Sequence, residues 1–144
     1  MTDQEHTVLI VDDDEGVRKV LGQWVERLGY RTQLADSAEG AVEVLERTPI
    51  DVALCDIRMP GADGIWLAGQ IRDRFPDVAV VLATGLHEMD AGVTLRPGVV
   101  GFVVKPFSHT EIAAAIKTGL EWRRAQPEEP RESLIGLLES WDET

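Results

Sequence analysis

The chain has 144 residues, the size of one ordinary domain, and is 44% hydrophobic, enough to bury a core. Its 26 acidic against 14 basic residues give a formal charge of -12 at pH 7, a surface that repels phosphate backbones and argues against direct nucleic-acid binding by this chain. The lone Cys55 rules out an internal disulfide. The polar start has no signal-peptide pattern, and the longest apolar run, Val78 to Ala83, is too short for a membrane span, so a cytoplasmic protein is expected.

Thr7 to Val11 is a β-branched run ending in acids and reads as a buried strand. Val17, Val20, Leu21, Trp24, Val25 and Leu28 recur at helical steps as a core stripe, and Gly29 supplies a stop. Asp14 is the natural cap of this helix. Arg31 to Ala35 is a weaker strand. Ser37 caps a helix through about Arg47, before Pro49 breaks the pattern. Val52 to Cys55 is a third strand and runs into Asp56. After the Pro60-Gly61 loop, Asp63 caps a helix from about Gly64 to Arg74. Val78 to Ala83 is a fourth strand meeting Thr84. A fourth helix follows and ends by Pro97-Gly98. Gly101 to Val104 is a fifth strand, leading to Lys105-Pro106-Phe107. Ser108 and Glu111 form a capping box for a last helix to about Arg124. Residues 126–131 read as an acidic linker. Beyond it, Leu134, Ile135, Leu137, Leu138 and Trp141 take helical spacing in a short amphipathic helix, marginal alone in water, which needs its own domain, a second copy or a partner to dock on.

Strands alternating with helices predict an α/β fold, a doubly wound five-stranded parallel sheet with helices on both faces. Ligands in such sheets bind beyond the carboxyl ends of the strands. Asp12 and Asp13, Asp56, Thr84 and Lys105 all stand just there. Two carboxylates about 4 Å apart repel by roughly 4 kcal/mol at an effective dielectric of ~20, so a proton or cation must offset them. Hard oxygen ligands suit Mg²⁺. Lys105 can hold one phosphoryl oxygen and Thr84 another, and a carboxylate can itself be a nucleophile. Asp56, at the end of a central strand, is the best candidate.

With these motifs assembled, the chain resembles the receiver domain of two-component response regulators. The resemblance rests on Asp12-Asp13, on Asp56-Ile-Arg-Met-Pro-Gly-Ala-Asp-Gly64, on Thr84 and on Lys105-Pro-Phe107, and covers residues 7–124, leaving 125–144 as linker and terminal helix. It implies a flavodoxin-like fold. It implies that Asp56 accepts a phosphoryl group from a histidine kinase or phosphotransfer protein, with Asp13 and Asp56 binding Mg²⁺ directly, Asp12 helping through water and the Arg58 backbone carbonyl as a further ligand. Lys105 would pair with the phosphoryl group, Thr84 would turn toward it, and Phe102 would be the switch aromatic. The implied output face is the fourth helix, the fifth strand and the last helix, read by a downstream effector or an output domain outside this chain, with a homodimer possible. The chemistry would be confined to its own phosphorylation and dephosphorylation, with Arg58 and Leu86 tuning phosphoryl lifetime.

The interval from Thr84 to Lys105 is about one residue shorter than usual for the family and contains Gly92 and Pro97, poor helix residues. Competing readings are weaker. A phosphatase of the haloacid dehalogenase kind needs a second Asp two residues after the nucleophile, where this chain has Arg58. A flavodoxin-like cofactor binder needs a glycine loop after the first strand, where Asp12 to Glu15 would repel phosphate. The remaining alternative is a phosphorylation-independent pseudo-receiver that acts only as a protein-binding module.

Overall fold

A computed structural model describes residues 6–85 and 99–125. In chain order the elements are β1 (Thr7–Val11), α1 (Glu15–Arg27), β2 (Arg31–Ala35), α2 (Ala38–Arg47), β3 (Val52–Asp56), α3 (Gly64–Arg74), β4 (Ala79–Thr84), β5 (Val99–Val104) and α4 (His109–Ala125). The predicted helix between the fourth and fifth strands and the one over 134–141 lie outside the described residues.

The strands form one parallel sheet in the order β2-β1-β3-β4-β5. β1, β3 and β4 are buried throughout, because the sheet is covered on both faces and its central strands meet no water. Successive side chains alternate between the faces. Leu9, Val11, Ala53, Cys55, Val80 and Leu82 point toward α2 and α3. Val8, Ile10, Val52, Leu54, Ala79 and Val81 pack with Leu21 and Val25 of α1 and with Ile112 and Ile116 of α4. Uninterrupted apolar runs thus serve two cores at once.

Local chemistry sets the helix ends. The carboxylates of Asp14 and Asp63 accept the amides of Val17 and Trp66 at 3.1 and 3.0 Å, and the Ser37 hydroxyl accepts that of Gly40 at 3.0 Å. The Ser108–Glu111 capping box is present in both directions. α1 ends in a Schellman arrangement: Gly29 donates to Glu26 and Tyr30 to Val25, with Gly29 at φ 99. At the amino edge of the sheet, Asp51 accepts the Thr7 amide and Arg123 Nη1, both at 2.8 Å, while Arg123 Nε donates to the Asp77 carbonyl. These bonds moor the far end of α4 beneath the sheet.

Three expectations change. β4 starts at Ala79 and includes Thr84, and β5 starts at Val99, two residues before Gly101, with a register irregularity against Val80 and Val81. Val20 and Leu28, read as part of the apolar stripe of the first helix, are 43% and 36% exposed. Leu21 and Val25 fill the space against the sheet, and a helix presents only part of its circumference to one face.

Gly29, at φ 99, is one of two described glycines in the left-handed region. An L-residue in the left-handed region costs about 1–2 kcal/mol. Gly29→Ala should therefore lower stability by about 1 kcal/mol in urea titration with an unchanged m-value, and an unaltered midpoint would refute the stop assigned to it.

Candidate functional site

β1 lies between β2 and β3, so the strand order reverses there and opens a crevice at the carboxyl edge. Val11 pairs with Cys55, which sets the next residues, Asp12 and Asp56, side by side. Asp56 pairs with Ala83, just before Thr84, and Thr84 pairs with Val104, just before Lys105. Parallel register alone therefore brings residues far apart in sequence to one edge.

Ligand oxygens of Asp12, Asp13 and Asp56 lie within 4.8 Å of one another. Asp12 and Asp56 are buried, while Asp13 is exposed to solvent. Lys105 Nζ stands 3.1 Å from Asp56 Oδ2 and 3.8 Å from Asp12 Oδ2. The second oxygens are also held: Asp12 Oδ1 accepts the Asp14 amide at 2.9 Å and Asp56 Oδ1 accepts the Arg58 amide at 3.3 Å. Thr84 sits at the same edge, fully buried, with its hydroxyl donating to the Gly85 carbonyl at 3.0 Å. Contacts thus group Asp12, Asp13, Asp56 and Lys105, while Thr84 joins them by its place in the sheet. Phe102 packs half-buried on the α2–α3 side of the sheet, beside Leu82. Arg58 extends toward solvent beyond the strand end.

The charges do not balance. Burial raises the Asp56 carboxyl above its ordinary range, and the hydrogen bond and charge of Lys105 pull it back only in part. Burial likewise raises Asp12, opposed by the Asp14 amide and reinforced by the charge of Asp56. Burial works to lower the Lys105 ammonium, but the bond to Asp56 and the three nearby carboxylates outweigh it and hold it above its usual value. One ammonium facing three clustered carboxylates leaves room for further positive charge. A hard divalent cation such as Mg²⁺ fits this all-oxygen donor set, with Asp12, Asp13 and Asp56 to hold it. By contrast, the Cys55 thiol, fully buried below the site, is pushed up to about 12 and is chemically quiet.

Two further residues support the site. Arg18, one turn into α1, donates through Nη1 to the Asp12 carbonyl at 2.8 Å and pins the strand end. Gly64 lies so close to the end of β3 that a Cβ there would overlap the Asp56 carbonyl oxygen and crowd Ile57 Cα. The Asp63-Gly64 pair already belongs to the sequence motif, and the structure supplies its steric reason; Arg18 leaves no signal in the sequence, because its partner is a backbone atom. Gly61, at φ 74, provides the loop's left-handed turn.

The family model described as the response regulator receiver domain matches residues 8–117. The chain is 39% identical over 101 residues to the response regulator protein FleR of Pseudomonas aeruginosa, covering 69% of this chain and 21% of that protein. It is 32% identical to the transcriptional regulatory protein BaeR of Escherichia coli, covering 84% of this chain and 50% of that one. A CheY-like response regulator receiver domain protein from Methanospirillum hungatei superposes with a TM-score of 0.73 at 31% identity, covering 85% of this chain and 99% of that one. The chain spans about a fifth to a half of the length of these curated relatives.

A buried carboxyl raised in the folded state binds protons that the unfolded chain has already lost. Its contribution to stability is greatest at low pH and falls as pH rises from about 4 through the raised folded value. In the absence of divalent cations, Asp12→Asn should therefore raise the melting temperature at pH 7 by ~3 °C, with the gain fading toward pH 4. Added Mg²⁺ should stabilise the wild-type chain, by about 2.7 kcal/mol at one hundred times its dissociation constant, and the variant much less. Melting curves at several pH values decide this; a variant less stable than wild type at pH 7 would show that burial of the Asp12 charge, reinforced by Asp56, is not the dominant strain.

Proposed function

Because the chain belongs to the response regulator receiver domain family, we propose that it is a receiver over residues 7–124 that takes a phosphoryl group on Asp56 from the phosphohistidine of a histidine kinase or phosphotransfer protein. The observation that carries this reading is Lys105 Nζ at 3.1 Å from Asp56, in a cluster of three carboxylates at the carboxyl edge. A carboxylate oxygen of Asp56 attacks phosphorus, an acyl phosphate bond forms, and the phosphorus–nitrogen bond breaks with its electron pair leaving on the donor imidazole. Asp12, Asp13, Asp56 and the Arg58 carbonyl would hold Mg²⁺, which supplies positive charge for the phosphoryl oxygens.

Lys105 follows the charge. Before transfer its ammonium pairs with Asp56 Oδ2; afterwards a phosphoryl oxygen offers a stronger partner in the same place. Thr84 needs only to release the Gly85 carbonyl and rotate its hydroxyl toward the new oxygens. Its withdrawal from the edge of β4 leaves space beside β5, into which the half-buried Phe102 can move inward. A change in local charge thereby becomes a change in packing at the fifth strand, the route to a protein-interaction surface read by an effector or output domain. Turning a 1:99 population into 99:1 takes about 5.5 kcal/mol of differential binding, within reach of several charge-assisted contacts acting together. Arg58, at the mouth of the site, is placed to influence how water reaches the acyl phosphate.

Incubation with Mg²⁺ and acetyl phosphate should add a single phosphoryl group by intact mass, absent in Asp56→Asn. Lys105→Ala should slow the transfer by about 10²–10³, the effect of losing one group that stabilises developing charge. An adduct that persists in Asp56→Asn would move the acceptor elsewhere, and absence of any adduct with small donors and kinases alike would leave the pseudo-receiver reading in its place.

A further inference from the structure

On the flank of α1 an apolar groove of about 340 Å³ passes Gly16, Val17, Val20 and Trp24 and is walled on one side by Lys105 and Phe107. A second hollow of about 220 Å³ extends it past Trp24 toward Leu28 and His109. The exposed Val20 lines this groove. Its surface is almost entirely hydrocarbon and suits the apolar face of a helix.

We infer that residues 134–141 of this same chain dock there as an amphipathic helix. Leu134, Leu138 and Trp141 recur at steps of four and three, with Ile135 and Leu137 beside them. Such a segment is marginal alone and gains its order from an apolar surface. The lengths agree: from Gly16 to Trp24, α1 rises about 12 Å, and a helix over 134–141 rises about 11 Å. The reach agrees as well. The groove lies toward the start of α4, whose 17 residues make a rod of about 25 Å. Residues 126–133, eight in number, can extend about 26–29 Å, enough to run back along α4 from Ala125. Tethering gives the segment a millimolar effective concentration at the groove, an advantage over a second copy or a separate partner. The docking needs no phosphoryl group on Asp56, so its failure and that of the phosphorylation reading are separable.

A disulfide-trapping experiment on the full chain tests this. In either direction of docking, Leu138 falls at the middle of the segment and Val20 at the middle of the groove. Val20→Cys with Leu138→Cys should close an intramolecular disulfide under copper-phenanthroline at least tenfold faster than the control pair Leu34→Cys with Leu138→Cys, Leu34 being 46% exposed on the edge strand away from the groove. Cys55 is buried and stays out of the reaction. Equal rates, or no bond in either pair, would overturn the proposal, and a linked dimer as the main product would assign the groove to a second copy. Independently, Leu138→Glu should speed hydrogen exchange of the amides from Val17 to Trp24 severalfold at constant global stability; unchanged exchange would also overturn it.

Discussion

Three carboxylates held at the end of a parallel sheet, with one lysine reaching across them, are the constraint around which the molecule is arranged. Asp12 and Asp56 are buried where water cannot fully solvate their charge, and Asp13 adds to it from the rim. Lys105 offsets part of the repulsion and is itself held strongly charged by doing so. A site in this condition answers to any change in local charge, because a cation, a proton or a phosphoryl group alters the same balance.

The rest of the fold keeps that imbalance in place. Two cores, one on each face, lock β1 and β3 together and with them the lateral spacing of Asp12 and Asp56. Arg18 secures the Asp12 carbonyl from α1, and Gly64 lets α3 start hard against the Asp56 carbonyl. At the opposite edge, Asp51 and Arg123 hold the end of α4 to the sheet. Rigid packing beneath and an unbalanced edge above are complementary: the stability of the former tolerates the strain of the latter.

Much of this was legible in the residues. The apolar runs of β1, β3 and β4, the caps at Asp14, Ser37 and Asp63, the box at Ser108 and Glu111 and the stop at Gly29 are local signals, and each element formed close to its expected bounds. The strand-end pattern also named the residues that meet at this edge, since acids and a lysine after buried strands of a parallel sheet converge whatever the helices between them do. Periodicity failed at Val20, because an apolar residue on the flank of a stripe faces either the core or a groove, and only the neighbouring loop at Lys105 to Phe107 decides which. It failed also at the start of β5, where Val99 and Val100 join the sheet through an irregular register with β4.

What the sequence by itself determined is the inventory: five strands and their helices, the residues at each carboxyl end, and the acidic character that asks for a cation. Local chemistry suffices for these, since caps, turns and apolar runs act within a few residues. The tertiary structure decided the distances. That Lys105 reaches Asp56 at 3.1 Å across an interval of 49 residues, that Thr84 faces the Gly85 carbonyl, and that burial raises Asp12 and Asp56 while Asp13 stays open to water depend on strand order, register and the two cores. Proximity between distant residues and the dielectric around them are properties of the packed whole, carried by no single stretch of chain.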